Sequence, residues 1–359
     1  MLDNKEKLVK DSKHIALYTK YRPQKFSEVL GQDHVVSTLE TSIKNDDISH
    51  AYLFIGTRGT GKTSVARILA SQIGTTRNDL YEIDAASNTG VENIRSLTES
   101  INTQPLDSKY KVYILDEVHM LSKSAFNALL KTLEEPPAHA IFILATTEPH
   151  KIPETVISRC ETYLFKTPNK EILKKMVQKT AKSEGIKISK QALELISILG
   201  DGSFRDTHTI LQKLLRTNFI TKDHEITVEE VEQVTGAPTN YLINELLQSI
   251  LRSDLNTGLK IIKQAESENF DSKTFLGLLL QKYRALLLMK VAPNDKSLFA
   301  DLISEDEIDN FTALLKESGD KVNSKVLLSL IEVANQSGKA VTAFLPLEIL
   351  LVEILAEKG

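Results

Sequence analysis

The chain has 359 residues, of which 41% are hydrophobic and 26% are charged, and its formal net charge is −4. This is the composition of an ordinary globular protein, and it excludes disordered, fibrous and low-complexity chains. At roughly 150 residues per domain, the length predicts two or three domains. The negative balance also excludes a polycation, so a nucleic-acid partner would need a local basic patch.

No segment is apolar over the ~18 residues that a membrane-spanning helix needs, and Met1 to Lys13 carry charges rather than an apolar signal core. We therefore expect a cytoplasmic protein without a membrane partner. The single cysteine, Cys160, excludes an internal disulfide framework. It also excludes a thiolate zinc site, which needs about four ligands. Any metal is therefore expected to bind through oxygen atoms.

The first half of the chain predicts a doubly wound α/β domain behind a flexible, solvated tail at residues 1–14. Between Ala51 and Lys166, short apolar runs alternate with segments of helical period, which is typical of a parallel sheet covered by helices. Because several runs are apolar at consecutive positions, we expect strands that are buried on both faces. The predicted strands are Ala51–Ile55, Leu80–Ala85, Lys111–Leu115, Ala140–Ala145 and Glu161–Lys166.

A glycine-rich loop follows the first predicted strand and matches the phosphate-loop pattern G-x-x-x-x-G-K-[ST]. Its glycines let successive amides face a phosphate group, and the start of the next helix adds positive potential. Lys62 would contact the β and γ phosphates and Thr63 would coordinate magnesium, whereas an ordinary glycine-rich turn has no need of Lys-Thr here. The predicted nucleotide-binding residues of the loop are Gly56, Thr57, Arg58, Gly59, Thr60, Gly61, Lys62, Thr63 and Ser64.

Polar side chains end the next two long strands of the predicted sheet. Asp116 and Glu117 follow a buried strand at the edge where open α/β sheets bind ligands. Asp116 can reach the magnesium ion, and Glu117 is suited to polarise an attacking water, which favours hydrolysis over transfer to a second substrate. An acid pair at a strand end is common in proteins and often has no function. The phosphate loop in the same chain favours a functional role for this pair. Thr146 and Thr147 end the strand expected between those of Lys62 and Asp116; they either sense the γ-phosphate or only cap the strand and turn.

Two arginines are further candidates for the site. Arg159 precedes the last predicted strand, and Arg205 begins a predicted helix. A guanidinium that reaches a γ-phosphate stabilises transition-state charge and is worth ~10³ to 10⁵ in rate. The alternative is that both form surface ion pairs, which are worth ~1 kcal/mol at most.

Helices replace strands in the second half of the chain. After Pro168 the strand signals vanish, while Ser189 fits an N-cap and Thr227 opens a capping box. We predict a small helical domain over residues 168–235. The segment Gly236-Ala237-Pro238 breaks the pattern, and nearly everything from Asn240 onward reads as amphipathic helix. This predicts a third, all-helical domain over residues 236–359.

Several motifs together carry a family resemblance. Besides the phosphate loop, they are Tyr21-Arg22-Pro23 with Phe26, Val29 and Gly31-Gln32, then Asp116 to Leu121, Asn127 to Pro137, Ala145-Thr146-Thr147 and Ser158-Arg159-Cys160. In these residues the chain resembles the gamma/tau family of bacterial DNA polymerase III clamp-loader subunits. The resemblance covers residues 16 to about 235, and beyond them only helical character and length agree.

The resemblance implies an AAA+ ATPase that uses ATP and Mg²⁺ in a five-membered ring of clamp-loader subunits. Such a ring opens the sliding clamp with ATP bound and releases it on primed DNA after hydrolysis. It further implies a P-loop ATPase domain at 15–167, a three-helix lid at 168–235 and a collar for oligomerisation at 236–359. Arg159 would reach the nucleotide of the neighbouring subunit in trans, and Arg205 would read the γ-phosphate of its own subunit.

The resemblance also assigns two binding surfaces. Tyr18, Tyr21 and Pro23 would line the adenine pocket. Ser87, Asn88 and Thr89 would open a helix that faces DNA in the central channel, although a plain N-cap is an equal alternative.

The chain departs from the family in two ways. Only Ser71 to Asp79, without cysteine, stand where the family usually carries a four-cysteine zinc module, so we expect no zinc. The chain ends at Gly359, which leads us to expect either the short, gamma-like form or a naturally short homologue.

Alternatives remain from the same class and from another. An archaeal-type clamp-loader small subunit shares several motifs, but Asp116 to Ser122 and Leu133 to Pro137 read as bacterial. A branch-migration motor or replication initiator would need a terminal DNA-binding module. A non-hydrolysing structural member of an AAA+ ring would not need intact Lys62, Thr63 and Asp116. The chain has no sign of a polymerase active site, so in a DNA-directed DNA polymerase holoenzyme nucleotidyl transfer would belong to a partner.

Overall fold

The computed structural model describes residues 15–87, 100–217, 225–299, 302–303, 305–337 and 342–356. The predicted tail at 1–14, and Asn88 and Thr89 of the predicted DNA-facing helix, lie outside the described residues. The chain folds as two compact units. The first comprises the residues up to Thr180 together with Gly200–Gln212, and the second comprises Ala181–Leu199 and the residues from Lys213 onward. The predicted lid, residues 168–235, contributes to both units, and its boundaries stay a prediction.

A five-stranded parallel sheet forms the centre of the first unit, with the strand order β2-β3-β4-β1-β5. All five predicted strands are confirmed, as is the place of β4 between β1 and β3. The last strand ends before Lys166, because the side chain of Gln32 bonds both backbone groups of Lys166 in place of a neighbouring strand. The strands are β1 (Ala51–Ile55), β2 (Leu80–Asp84), β3 (Lys111–Asp116), β4 (Ala140–Thr146) and β5 (Glu161–Leu164).

Helices and short 3₁₀ turns account for most of the remaining described residues. The α-helices are α1 (Leu17–Lys20), α2 (Asp33–Lys44), α3 (Lys62–Gln72), α4 (Lys123–Glu134), α5 (Glu154–Ile157), α6 (Lys170–Glu184), α7 (Lys190–Leu199), α8 (Phe204–Leu215), α9 (Val228–Thr235), α10 (Asn240–Arg252), α11 (Leu255–Ser267), α12 (Ser272–Val291), α13 (Glu305–Ser318), α14 (Ser324–Ser337) and α15 (Leu345–Ala356). The 3₁₀ turns are Phe26–Glu28, Arg77–Asp79, Val118–Met120, Pro149–Lys151, Lys296–Leu298 and Gly319–Lys321.

Both faces of the sheet are buried, which explains the uninterrupted apolar runs. Successive side chains of a strand point to opposite faces, so Leu53 packs with α4 in one cluster while Phe54 packs with α2 and α3 in the other. Each face therefore has its own layer of helices, as a doubly wound sheet requires. The carboxyl ends of the strands are left free of these layers and carry the polar residues singled out in the sequence.

The region after Pro168 differs from the prediction in its helices and in its strands. The described residues of 168–235 form the four helices α6 to α9 rather than three. Two short strands, β6 (Lys187–Ile188) and β7 (Glu225–Ile226), pair in parallel. They were absent from the prediction because two residues are too few to show a period of 2. The predicted caps beside them are confirmed: the Ser189 hydroxyl accepts from the Ala192 amide at 3.2 Å, and Thr227 forms the reciprocal capping box with Glu230.

The described part of the second unit beyond Pro238 is helical, as predicted. Its apolar core draws on α10, α11, α12, α14 and α15. Lys282 is a buried cation in this part of the chain. Its ammonium group donates to Glu307 at 2.5 Å and to Asn244 at 2.7 Å. Burial lowers the pKa of Lys282, and Glu307 partly offsets that effect. Across the described residues, no helix combines the length and the apolar character that crossing a bilayer requires.

A matched pair of leucines tests the two-faced burial of the sheet. Leu53 in β1 is 0% exposed and Leu164 in β5 is 63% exposed. We expect Leu53→Ala to lower the free energy of unfolding by about 2–5 kcal/mol because it leaves a cavity. Leu164→Ala should change it by about 0.5 kcal/mol or less. Denaturant unfolding followed by circular dichroism measures both, and equal losses would contradict the assigned burial.

Candidate functional site

The predicted phosphate loop joins β1 to α3. Its backbone enters the left-handed region at Gly59 (φ 77°) and at Gly61 (φ 102°), a conformation that only glycine adopts without strain. Gly61 is the N-cap of α3, so Lys62, Thr63 and Ser64 form the first turn of that helix. The loop therefore leads directly into the positive N-terminal end of α3, and such a helix end favours phosphate binding.

The ammonium group of Lys62 lies over its own loop. It donates to the carbonyl oxygens of Gly56 at 2.7 Å and of Thr57 at 2.9 Å, and the residue is 5% exposed. Burial lowers the pKa of Lys62, and the charges of Glu117 and Asp116 oppose this shift. Burial disfavours the charged form of a lysine and nearby carboxylates favour it, so these two effects oppose one another at Lys62.

The other loop residues divide into structural and exposed ones. Thr60 is 1% exposed and its hydroxyl donates to the Thr57 carbonyl at 2.9 Å, so it stabilises the loop itself. The Thr57 hydroxyl lies 3.2 Å from that of Thr167. Arg58 is exposed. The structure thus places Thr57 and Arg58 on the outer side of the loop.

The two predicted magnesium ligands meet. The hydroxyl of Thr63, in α3, donates to Asp116 Oδ2, at the end of β3, over 2.6 Å. Within the described residues no cluster of three or more His, Cys, Asp or Glu side chains is suited to a metal. Mg²⁺ at phosphate sites is typically held by one or two protein oxygens, with phosphate and water oxygens completing its shell. A hydroxyl and a carboxylate at this spacing fit that donor set.

Glu117 has an unusual backbone. Its φ of 48° and ψ of 45° are left-handed, a conformation that costs a non-glycine residue about 1–3 kcal/mol and is concentrated at functional sites. The hydroxyl of Thr147 donates to Glu117 Oε2 at 3.0 Å. Thr146 is fully buried, and its hydroxyl accepts from the Glu148 amide at 3.0 Å and lies 3.1 Å from His119 Nδ1. Both threonines therefore lie at the carboxyl edge, with their hydroxyls bound to protein groups.

Helix α8 meets the N-terminal segment of the first unit. The Arg205 guanidinium lies 5.1 Å from the centre of the Tyr18 ring, and Tyr21 stacks on His208 at 6.3 Å with an interplanar angle of 8°. Burial lowers the pKa of His208 to about 4, so this ring is neutral near pH 7. Pro23 is half-buried in the following turn. The structure thus brings Tyr18 and Tyr21 to the helix that carries Arg205.

Arg159 has other contacts. Its guanidinium donates to Glu134 at 2.8 Å and to the Thr155 carbonyl at 2.7 Å, and its side chain is 33% exposed. The structure therefore pairs it with α4 and α5 rather than with the phosphate loop of its own chain. Ser87, at the end of the described stretch after β2, donates to Asp84 at 2.9 Å. Burial raises the pKa of the Cys160 thiol to about 12, which keeps it unreactive.

Three site residues were missed as individuals by the sequence analysis. Gln32 is fully buried and bonds the backbone of Lys166 at 2.7 and 3.0 Å, which fixes the chain beyond β5. Ser203 packs against Gly59 of the loop. His119 lies between Glu117 and Thr146. Gln32 and His119 stand within the motifs that carried the resemblance, but only the folded chain shows what they contact.

Comparisons with known proteins agree with the motifs. Residues 31–86 and 75–169 match the model of a family described as DNA polymerase III, delta subunit. A Bacillus subtilis protein named DNA polymerase III subunit tau is 36% identical over 343 residues, which are 90% of this chain and 59% of that protein. A Buchnera aphidicola protein named DNA polymerase III subunit gamma is 36% identical over 301 residues, which are 78% of this chain and 80% of that protein. The chain thus spans about three fifths of the Bacillus protein.

A solved structure supports the fold. The Thermotoga maritima RuvB Holliday junction branch migration motor matches with a TM-score of 0.51 and 20% identity, over 64% of this chain and 79% of that one. At this identity the likeness concerns the fold alone. It confirms the predicted α/β core with its parallel sheet.

A double-mutant cycle tests the contact between the phosphate loop and α8. A Cβ atom on Gly59 would lie 2.0 Å from Ser203 Oγ, whereas Gly74, also left-handed at φ 84°, has nothing within 4 Å. We expect Gly59→Ala to lower the free energy of unfolding by about 1–3 kcal/mol more than Gly74→Ala does, because the added methyl group overpacks the contact. Ser203→Ala should recover part of that difference. Strictly additive effects in denaturant unfolding would contradict the contact.

Proposed function

Since this chain belongs to the DNA polymerase III gamma/tau family, we propose that it binds and hydrolyses ATP as a clamp-loader subunit in DNA replication. The observation that carries the proposal is the 2.6 Å hydrogen bond between Thr63 and Asp116, beside a buried Lys62. It unites the phosphate loop and the acidic strand end in one site of ATPase type. Nucleotidyl transfer would belong to a polymerase partner.

The chemistry follows from the positions of these groups. The amides of the loop and the ammonium group of Lys62 would bind the phosphates, and Glu117 would orient the attacking water. Thr63 and Asp116 would hold Mg²⁺, which neutralises charge that develops on the β and γ phosphates. Tyr18 and Tyr21 would face the adenine, and Arg205, now beside the ring of Tyr18, would read the γ-phosphate.

The proposed partners are other clamp-loader subunits in a five-membered ring, the sliding clamp and primed DNA, and the proposed location is the cytoplasm. Assembly is supported by α15, whose Leu345, Ile349 and Val352 are 42%, 51% and 44% exposed. These residues recur at helical spacing on one face, while the opposite face of α15 packs in the core. An exposed apolar stripe of this kind marks an interaction surface. The lid at 168–235 and the collar at 236–359 are proposed from the family resemblance.

The proposal predicts two separable losses of ATP turnover. Lys62→Ala should abolish ATP binding, because it removes the only cation that the structure places within the described loop interior. Glu117→Gln should bind ATP normally but hydrolyse it about 10²- to 10⁴-fold more slowly, because the amide is a poor base. Calorimetric titration with ATP and phosphate release with primed DNA and clamp measure the two effects. Wild-type turnover no higher than that of Lys62→Ala would favour a structural ring member instead.

Arg159 provides a test of action in trans. In the assembled ring, we expect Arg159→Ala to keep ATP binding and to lose about 10³-fold or more of clamp-stimulated turnover, because its guanidinium stabilises charge on the neighbouring subunit's phosphate. Glu134→Gln is the matched control, since it removes the same ion pair and keeps the arginine. Equal losses of turnover in both variants would mean that Arg159 acts only through its ion pair with Glu134 and not on the neighbouring subunit's phosphate.

A further inference from the structure

His119 lies at the centre of the carboxyl edge but has no role in the function proposed so far. It belongs to the 3₁₀ turn after β3, and its side chain is 6% exposed. Its Nδ1 lies 3.1 Å from the Thr146 hydroxyl and 3.5 Å from Glu117 Oε2. Its Nε2 lies 3.4 Å from Glu148 Oε1. A nearly buried imidazole thus faces one hydroxyl and two carboxylates.

The contact with Thr146 leads directly to the phosphate loop. The main-chain oxygen of Thr146 accepts from the Gly56 amide, the first amide of that loop, at 3.2 Å. The hydroxyl of the same residue has a partner on each side, the Glu148 amide and His119 Nδ1. A hydroxyl group has one proton to donate. The tautomer of His119 therefore decides whether that proton points to Nδ1 or, when Nδ1 itself donates to the hydroxyl oxygen, is free to turn towards another acceptor.

The contact with Glu117 bears on the proposed base. Glu117 has a left-handed backbone, and its carboxylate is held at Oε2 by Thr147 and approached there by His119. On the far side, Glu148 is paired with Lys151 at 2.8 Å. The imidazole thus lies between two carboxylates that would otherwise repel one another across the strand end. An apolar side chain of similar volume would fill the same space but would hold neither the carboxylate nor the hydroxyl.

We infer that His119 is a positioning residue for ATP hydrolysis. Its Nδ1 edge contacts the Thr146 hydroxyl and approaches the Glu117 carboxylate, so it fixes the proposed base relative to the strand end that accepts the first amide of the phosphate loop. It does not itself touch the nucleotide. The inference rests on the proposed function, because it assigns a role within the same site.

Three substitutions separate positioning from packing. The side-chain amide of Asn places a polar atom near the position of His Nδ1, and that of Gln places one near the position of Nε2. His119→Asn can therefore keep the bond to Thr146, whereas His119→Gln can keep only the contact with Glu148, and His119→Ala keeps neither. His139→Ala is the matched control: this half-buried histidine bonds the Ile101 carbonyl at 2.9 Å and precedes β4, at the opposite edge of the sheet.

The full-length proteins, assembled with their clamp-loader partners, would be compared for ATP affinity by calorimetry, for kcat with primed DNA and clamp, and for thermal unfolding. We expect His119→Ala and His119→Gln to lower kcat by about 10- to 100-fold, as loss of supporting contacts around a site does. ATP affinity should change by about twofold or less. His119→Asn should recover most of the turnover, and His139→Ala should match the wild type.

Other outcomes would overturn the inference. If all His119 variants turn over like the wild type, or if Asn and Gln are equally impaired, the Nδ1 contact has no positioning role. A loss of affinity that accounts for the whole effect would mean that His119 supports binding rather than hydrolysis. If His119→Ala does not fold, the comparison of Asn with Gln still decides. Wild-type turnover equal to that of Lys62→Ala would remove the proposed function, and the role of His119 with it.

Discussion

The parallel pairing of β4 between β1 and β3 is the constraint on which the site depends. Parallel strands bring their carboxyl ends to one edge, so three segments that are distant in sequence emerge side by side. Thr146 ends β4 and accepts the first amide of the phosphate loop at 3.2 Å, while Asp116 ends β3 and accepts from Thr63 at 2.6 Å. A strand order that moved β4 to the edge would take Thr146 away from at least one of the two neighbours it now joins, the loop after β1 and the acids after β3. The candidate site of this unit therefore depends on the order of its strands.

At this edge, the charge of Lys62 is balanced by carboxylates and carbonyl oxygens that lie close to it. Lys62 is nearly buried, and desolvation alone would favour its neutral form. Asp116 and Glu117 oppose that shift, while the carbonyl oxygens of Gly56 and Thr57 bond the ammonium directly. Removing one partner from such a set leaves an uncompensated charge in a poorly solvated place, which is far costlier than losing a surface pair. The set is thus stable as a whole and sensitive to any single loss.

Sequence patterns predict the parts of this protein whose information is local. The strands of the sheet, the phosphate loop and the caps at Ser189 and Thr227 each depend on a short run of residues, and the structure has them where the patterns indicate. The contacts of Gln32 with Lys166 join residues that are 134 positions apart. No periodicity records such a bond, because a buried polar side chain looks the same in sequence as an exposed one until its partner is known.

The same limit applies to His119. Its chain neighbours are apolar, and its proposed role depends on its contact with Thr146, which is distant in sequence. It also applies to β6 and β7, which exist only because two distant pairs of residues meet. Gln32 and His119 lie within the family motifs, but the motifs do not show what these two side chains contact. Geometry supplies the explanation, and with it the distinction between residues that would touch the nucleotide and residues that hold the others in place.

Helix α8 extends this argument from the loop to the N-terminal segment, which is proposed to face the adenine. Its first turn is attached to the phosphate loop, because the Phe204 amide donates to the Gly59 carbonyl at 3.0 Å and Ser203 occupies the space that a side chain at Gly59 would need. Further along the same helix, Arg205 and His208 lie against the aromatic rings of the N-terminal segment. A ligand that changes the conformation of the loop would therefore act on the start of α8 as well. By linkage, a conformation of α8 that such a ligand favours would in turn raise the affinity of the loop for the ligand by the same factor.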